Sequence, residues 1–160
     1  MIARATFDRT RHYRYTLLRG WDDSLPRLAF VMLNPSTADA TKLDPTCTRC
    51  FRYAQAWGFG TLEVVNIFAL RSTDPKGLYL AEDPVGPGND RAIARAARRA
   101  DTVVAAWGNH ASLADRSARV RLILSRSAGN RLHHLRMTSM GEPSHPLYLP
   151  ASLEPVRWQL

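Results

Sequence analysis

Hydrophobic and polar positions follow two different patterns in the first third of the chain. From Ile2 to Leu18, apolar and polar side chains alternate on either side of a polar turn at Asp8-Arg9-Thr10-Arg11. Alternation with a period of two is typical of strands with one buried face, so this part predicts an antiparallel hairpin. Leu28 to Leu33 is instead an unbroken apolar run, typical of a strand covered on both faces. We therefore predict a hairpin extension over residues 1–25 and an α/β core over residues 26–150.

The first helix is predicted to begin at Asp44-Pro45-Thr46, where Asp44 can cap the helix and Pro45 suits its first position. Gly58 or Gly60 is expected to end it. Its apolar positions have helical spacing: Cys47, Cys50, Phe51, Ala54 and Trp57. Because both cysteines lie on the stripe that faces the core, a structural role is favoured over a redox pair. No second C-x-x-C completes a zinc site, and we predict no metal and no cofactor.

Further strands and helices alternate along the rest of the core. Leu62–Asn66 and Thr102–Ala106 predict two more central strands, and a short apolar run lies at 132–135. Asn89 is expected to cap one intervening helix. The apolar positions of the two helices are Ile93, Ala96, Ala97 and Ala100, then Leu113, Val120 and Leu124. This alternation predicts a mainly parallel sheet with helices on both faces, and thus three layers, in one domain over residues 1–160.

The charge of the chain indicates which partners to expect. The formal charge is +8 and comes mainly from arginine, which suits bidentate contacts to phosphate. Arg91, Arg95, Arg98 and Arg99 fall largely on one helix face, as candidate contacts to a nucleic-acid backbone or as an ordinary solvated face. No run approaches the roughly 18 apolar residues of a membrane span. We expect a cytoplasmic protein with DNA or a nucleotide as partner and no membrane; the oligomeric state is not indicated.

Polar residues at predicted strand ends are the candidate chemistry. Ligands of open parallel sheets bind outside the carboxyl ends of the strands. Asn34 follows the first central strand, Asn66 closes the second, and Asn109-His110 follows the third. His145 in the last loop joins them if the final strand is adjacent. Each of these residues could alternatively be an ordinary turn or loop residue.

These residue types restrict the chemistry that such a site supports. Asparagine is neutral, so it can orient a water or read a base edge but cannot act as a general base. His145 can donate to a developing negative charge or carry a proton. Asp39 and Asp44 are the nearest carboxylates that could serve as a base or bind a cation. The chain has no G-x-G-x-x-G, P-loop, H-E-x-x-H or G-x-S-x-G motif, which argues against dinucleotide-binding and NTPase functions.

The motifs also carry a resemblance to known families. They are Met32 to Asp39, Asp44-Pro45-Thr46 with Trp57-Gly58, Val65 to Phe68, Asp83 to Asp90, Ala106-Trp107-Gly108, and Gly141 to Leu149. Together, over about Leu28 to Leu149, they resemble a bacterial and phage family known only as a domain of unknown function. More distantly, their order is similar to the uracil-DNA glycosylase superfamily, in particular its mismatch-specific branch. That resemblance implies an α/β/α sandwich with a short, mostly parallel sheet.

The glycosylase resemblance also implies roles for individual residues. The Asn34-Pro35 pair matches the motif that places the attacking water, and Asn66 matches the asparagine that reads the flipped base. The segment from Trp107 to Ala111 is similar to the W-G-x-x-A motif. His145-Pro146 matches the final His-Pro motif, whose histidine stabilises negative charge on the departing base. No glycine precedes Asn34, and no carboxylate occupies the first-motif base position.

The leading hypothesis is a nucleobase- or nucleotide-recognising protein of glycosylase-like fold that excises or alters a base in DNA. Asn34 and His145 are the predicted catalytic residues. The predicted ligand-binding residues are Pro35, Ser36, Asn66, Phe68, Trp107 and Gly108, with Phe68 or Trp107 stacking on the base. Two alternatives are a non-catalytic nucleic-acid-binding module that uses the arginine face, and a hydrolase or transferase acting on a free nucleotide.

Overall fold

The apolar run at residues 28–33 forms the middle of a seven-stranded sheet in this computed structural model, which describes residues 1–160. The strands are β1 (Ile2–Phe7), β2 (Arg14–Gly20), β3 (Arg27–Met32), β4 (Thr61–Asn66), β5 (Thr102–Ala105), β6 (Leu132–His134) and β7 (Val156–Arg157). The helices are α1 (Pro45–Ala56), α2 (Lys76–Leu80), α3 (Asn89–Arg99) and α4 (Arg116–Ser127). Short 3₁₀ turns lie at Asn109–Asp115, Gly129–Arg131 and Pro146–Tyr148. The predicted α/β class is confirmed.

The strand order is β1-β2-β4-β3-β5-β6-β7, and the sheet is mixed. The four central strands β4, β3, β5 and β6 pair in parallel, while β1, β2 and β7 add antiparallel pairings at the edges. The expectation of a mostly parallel sheet therefore holds for its centre alone. The N-terminal hairpin is continuous with this sheet, because Leu17 of β2 lies opposite Val64 of β4.

Two hydrophobic cores lie on opposite faces of the sheet. One packs α3 and α4 against residues such as Val31, Val65 and Val103. The other packs α1 against residues such as Phe30, Leu62 and Val104. Consecutive residues of one strand thus enter different cores, which explains why the central strands are apolar without interruption. No helix is both long and apolar enough to cross a lipid bilayer.

Helix α1 begins as its sequence predicts. Pro45 occupies the first turn, and the Cys47 backbone N–H donates to Asp44 Oδ1 at 2.8 Å. Cys47 and Cys50 are free thiols buried on the face of α1 that packs against the sheet. Burial raises the pKa of Cys47 to about 12 and raises that of Cys50 well above its usual value. The structural role predicted for the pair agrees with this placement.

Both thiols are therefore expected to resist alkylation in the folded protein. At pH 8 almost none of the Cys47 thiol is ionised, and the thiolate is the nucleophile. Intact-mass spectrometry after treatment with iodoacetamide should show the unmodified chain, whereas the chain unfolded in guanidinium should take two carbamidomethyl groups. Rapid modification of native protein would contradict the buried placement of α1.

The structure changes two expectations about the segment between β4 and α3. Asn89 is not the N-cap of α3: Gly88, with φ +77°, holds that position. The Asn89 side chain is buried and donates to the backbone oxygen of Asn66 at 2.8 Å. Its amide therefore ties the helix to the end of β4. The short helix α2 also lies in a stretch for which the sequence predicts neither helix nor strand.

A β-bulge in the hairpin changes the direction of one arginine. Thr6 pairs with Thr16, but Phe7 pairs with Arg14, so Tyr15 is an extra residue in β2. This extra residue reverses the alternation, and Arg14 falls on the same face as Leu17 and is 1% exposed. Simple alternation places Arg14 on the opposite face, with Thr16. The bulge thus turns a charged side chain into the interior.

Candidate functional site

A cleft opens where the order of the parallel strands reverses. Along the chain, the second parallel strand β4 and the third parallel strand β5 lie on either side of the first, β3. Loops leaving such a switch point separate and leave a crevice at the carboxyl ends of the strands. The cleft has a volume of about 530 Å³ and is lined by residues that follow β3, β4 and β5. That volume lies in the range typical of small-molecule sites.

Most of the predicted site residues line this cleft. They are Asn34, Pro35, Ser36, Asn66, Trp107, Gly108 and His145, together with Asn109 and His110 from the loop after β5. Phe68 is placed elsewhere: its side chain is fully buried in the core under α3 and α4, and it does not line the cleft. The fold thus brings together three asparagines and two histidines from four separate parts of the chain.

Asn34 is fixed by backbone carbonyls. Its Nδ2 donates to the oxygen of Ser72 at 2.8 Å and to the oxygen of Pro35 at 3.1 Å. Because a carbonyl oxygen only accepts, these contacts identify which end of the amide is nitrogen. The Oδ1 atom has no protein donor and remains an acceptor at the cleft. An acceptor held in this way can orient a water molecule by receiving one of its O–H groups.

Asn66 presents a hydrogen-bond donor, whereas Asn34 presents an acceptor. It ends β4, is 2% exposed, and its Oδ1 accepts from Arg14 Nη2 at 3.3 Å. Since a guanidinium only donates, the oxygen of the amide must face Arg14. The Nδ2 group has no protein acceptor, so Asn66 presents a donor to the cleft.

His145 is held by the loop that crosses the end of β5. The Gly108 N–H donates to Pro143 O at 2.8 Å, and the Ser144 N–H donates to Arg136 O at 2.7 Å. The Leu147 N–H donates to His145 Nδ1 at 3.3 Å, which requires Nδ1 to be unprotonated. Burial lowers the pKa of His145, and the charge of Asp44 opposes that shift. At neutral pH the ring is therefore neutral and carries its proton on Nε2, as a donor.

The lowered pKa of His145 predicts a loss of stability in mild acid. A histidine whose folded-state pKa lies below the ordinary 6.5 binds fewer protons folded than unfolded. The free energy of unfolding should therefore fall as the pH drops from 6.5 through the lowered value, by about 1.4 kcal/mol for each unit of pKa difference. Urea melts between pH 7.5 and 5 measure this slope.

His145→Gln is expected to reduce that slope without abolishing it. Burial also lowers the pKa of His134, which contributes with the same sign. The pKa values of four carboxyl groups are also lowered, but they affect the free energy of unfolding only in a more acidic range, near and below the ordinary 3.8. These groups are Asp8, Asp22, Asp39 and Asp90. An unchanged slope in His145→Gln would contradict the burial of this ring in its neutral form.

Trp107 forms part of the wall of the cleft. Its side chain is fully buried in the core under α3 and α4, and its ring lies 5.9 Å from that of Trp158. The indole N–H donates to Glu142 Oε2 at 2.7 Å. Glu142 precedes the His145 loop, so this bond joins the end of β5 to the segment that carries His145. A ring held in this way supports the cleft and is not free to stack on a ligand.

Two charged residues, Asp44 and Arg14, also line the cleft. Asp44, which the sequence predicts as a helix cap and as a nearby carboxylate, is the sole acid among the lining residues. Asp39 does not line the cleft; the backbone N–H groups of Thr41 and Lys42 hold its pKa below the usual value. Arg14 is missed by sequence reasoning altogether. The only local signal for it is a charged residue between two tyrosines in an amphipathic strand.

The arginine face of α3 lies apart from the cleft. Arg91, Arg95 and Arg98 are exposed and form no ion pair, whereas Arg99 pairs with Glu63 at 2.6 Å. Arg91 and Arg95 line a separate hollow of about 340 Å³ against Tyr15 and Thr16 of the hairpin.

No group of three or more His, Cys, Asp or Glu side chains is arranged to hold a metal ion.

Comparison with known proteins identifies a family but no activity. A family model described as "Protein of unknown function (DUF1643)" matches residues 14–147. This range includes every residue named above as lining the cleft. No curated protein and no solved structure matches the chain.

Proposed function

The chain belongs to the DUF1643 family of proteins of unknown function, and we propose that it recognises a nucleobase in the cleft at the carboxyl ends of β3, β4 and β5. One observation carries this proposal. Asn34, Asn66 and His145 are far apart in the sequence, yet they line the same cleft. Each presents one hydrogen-bonding group with no protein partner: the acceptor Oδ1 of Asn34, the donor Nδ2 of Asn66, and the donor Nε2 of His145.

The cleft suits a planar heterocycle with polar edges. Fixed donors and acceptors in a small cleft read the hydrogen-bonding edge of a base, as they do in enzymes that bind flipped bases. Apolar side chains of Met32, Leu33 and Leu147 also line the cleft and can cover the faces of a ring. The charge of +8 favours a ligand that belongs to, or derives from, a polyanion.

We further propose that the fold is related to that of the uracil-DNA glycosylases and that the cleft hydrolyses an N-glycosidic bond. The four parallel strands and the helices on both faces of the sheet support the relation. In this reaction, water oriented by Asn34 Oδ1 attacks C1′ of the sugar, and the bond to the base breaks. The electron pair of that bond leaves on the base, and His145 Nε2–H stabilises the negative charge. Asp44 is the carboxylate in the cleft that can take the proton of the water.

A base-release assay tests this function. The protein is incubated with duplex and single-stranded DNA that carries uracil, mismatched or modified bases, and the abasic product is cleaved by alkali. Release by the wild type and its loss in Asn34→Ala and His145→Ala would support the proposal. Absence of release from every substrate, with intact binding of DNA, would favour a binding module.

The exposed arginines of α3 support that module as a second candidate. Because Arg91 and Arg95 flank one hollow and have no acidic partner, each is available for a phosphate. We expect the double variant Arg91→Gln/Arg95→Gln to reduce the slope of log K against log salt by about 2. Fluorescence anisotropy with a labelled oligonucleotide measures it.

Arg52→Gln is the matched control for that experiment. Arg52 is an exposed arginine on α1, on the other face of the sheet, and its loss should leave the slope nearly unchanged. Equal effects of the control and the double variant would show that the attraction follows net charge and not the α3 face.

A further inference from the structure

Arg14 is a buried cation without an anionic partner. It is 1% exposed, and none of the ion pairs in the structure includes it. Its Nη1 donates to Ala38 O at 3.2 Å, and its Nη2 donates to Asn66 Oδ1 at 3.3 Å. Both acceptors are neutral, and both hydrogen bonds are long. Its Nε has no partner. Of the five N–H groups of the guanidinium, three therefore donate to no protein atom.

Such an arrangement is unfavourable unless something else compensates the charge. A desolvated guanidinium normally pairs with a carboxylate, because the loss of hydration is large. Arg116, the other deeply buried arginine with a comparable exposure, pairs with Asp90 at 2.8 Å and also donates to Ile67 O. Arg19 also lacks an anionic partner, but it does not line the cleft. Arg14 combines deep burial and the absence of an anionic partner with a place in the cleft, where a ligand can supply the compensating charge.

The position of Arg14 indicates where that group sits. The bulge at Tyr15 turns the side chain towards the cleft, and Arg14 is among the lining residues beside Asn66. Asn66 adds an unpartnered donor next to the guanidinium. The amino end of α1 also borders the cleft through Thr46 and contributes the positive end of its helix dipole, which Asp44 partly offsets.

We propose that Arg14 binds a negatively charged oxygen of the ligand, on the floor of the cleft and next to Asn66. The inference rests on the proposed nucleobase function. It restricts the ligands to those with an oxygen that is ionised or that gains negative charge during the reaction. Two sources share this chemistry: a ring oxygen of an acidic or departing base, and a phosphate oxygen of a nucleotide. Bases that present amino groups at this edge, such as adenine and cytosine, are disfavoured because donors would face donors.

The test compares ligands of matched shape and different charge by isothermal titration calorimetry on the full chain. Barbiturate is a pyrimidine that is an anion at neutral pH, uracil is its neutral counterpart, and inorganic phosphate represents the other source. We expect barbiturate to bind at least about tenfold more tightly than uracil, as charge-assisted hydrogen bonds require. Arg14→Gln should remove this preference, and Arg14→Lys should restore part of it.

Arg19→Gln is the matched control. Arg19 lies on the same strand and the same face, is 8% exposed, and does not line the cleft. It should leave the preference for barbiturate within about twofold of the wild type. The thermal midpoint of the ligand-free Arg14→Gln variant is expected to stay equal or rise, because an uncompensated buried charge is removed.

The outcomes separate this proposal from the proposed function. Equal binding of uracil and barbiturate, unaffected by Arg14→Gln, overturns the oxyanion site and leaves nucleobase recognition in place. Binding of phosphate alone, lost in Arg14→Gln, supports the oxyanion site with phosphate as the source and contradicts a base at the floor. A fall in thermal midpoint with unchanged barbiturate binding, or binding of none of the three probes, overturns the role of Arg14.

Discussion

Asn34→Ala is expected to reduce the rate of base release by about 10²-fold or more, while the affinity for the base-containing DNA changes little. Asn34 Oδ1 is the only acceptor among the three free groups of the site, and its amide is held in place by Ser72 O and Pro35 O. Removing the group that orients a water leaves the base contacts of Asn66 and His145 intact. The loss should therefore fall on kcat and not on KM.

Single-turnover kinetics on a releasable substrate measure this effect. Asn109→Ala is the matched control, because Asn109 lines the same cleft but its Oδ1 already accepts from Thr138 Oγ1 at 2.7 Å. That variant should keep most of the activity. If Asn34→Ala raised KM and left kcat unchanged, Asn34 would be a contact for the ligand and not the residue that places water.

Glu142→Ala is expected to lower the free energy of unfolding by about 3 to 5 kcal/mol. The carboxylate accepts from Trp107 Nε1 at 2.7 Å, from Ser117 Oγ at 2.5 Å and from Arg121 Nη2 at 3.0 Å, and it is 13% exposed. Its removal leaves the indole N–H of a fully buried tryptophan without an acceptor. It also releases the segment that carries His145 from the end of β5.

Urea denaturation followed by tryptophan fluorescence measures the change. Glu142→Gln keeps an acceptor and most of the shape, so it should lose less stability than the alanine variant. Glu154→Ala removes an exposed carboxylate with no hydrogen bond or ion pair in the structure and should change stability by less than about 0.5 kcal/mol. A loss of under 1 kcal/mol in Glu142→Ala would show that the Glu142 contacts do not hold the loop.

The features that the sequence predicts well are those decided by neighbouring residues. The apolar run at 28–33 is a central strand, and Asp44 caps a helix that begins at Pro45, because burial on two faces and capping leave short local patterns. The meeting of Asn34 and Asn66 in one cleft follows from a general rule about parallel sheets. It needs only the prediction that each residue ends a strand.

The features that escape sequence reasoning depend on distant parts of the chain. Arg14 enters the cleft because a bulge reverses the alternation of β2, and the extra residue leaves no mark in the local pattern. Asn89 has the residue type of a helix cap, but its amide finds stronger partners at the end of β4. Glu142 resembles a surface carboxylate in a loop, and only the fold brings it to Trp107.

Phe68 lies outside the cleft for a different reason. An aromatic residue two positions after Asn66 is a plausible stacking partner from the sequence, yet β4 has ended and the backbone turns the ring into the core under α3 and α4. Period-two reasoning does not extend beyond the end of a strand. In the proposed function, the faces of a base are covered instead by apolar residues that line the cleft, such as Met32 and Leu147.

The most direct test of nucleobase recognition is the nuclear magnetic resonance of the side-chain amides during titration with short single-stranded DNA. The oligonucleotides carry one test base at a time, taken from the four standard bases and uracil. We predict that for at least one base the Asn34 and Asn66 amide signals shift together, while that of the distant, exposed Asn130 does not. Shifts confined to the guanidinium signals of α3, with both cleft amides unmoved for every base, would contradict the account.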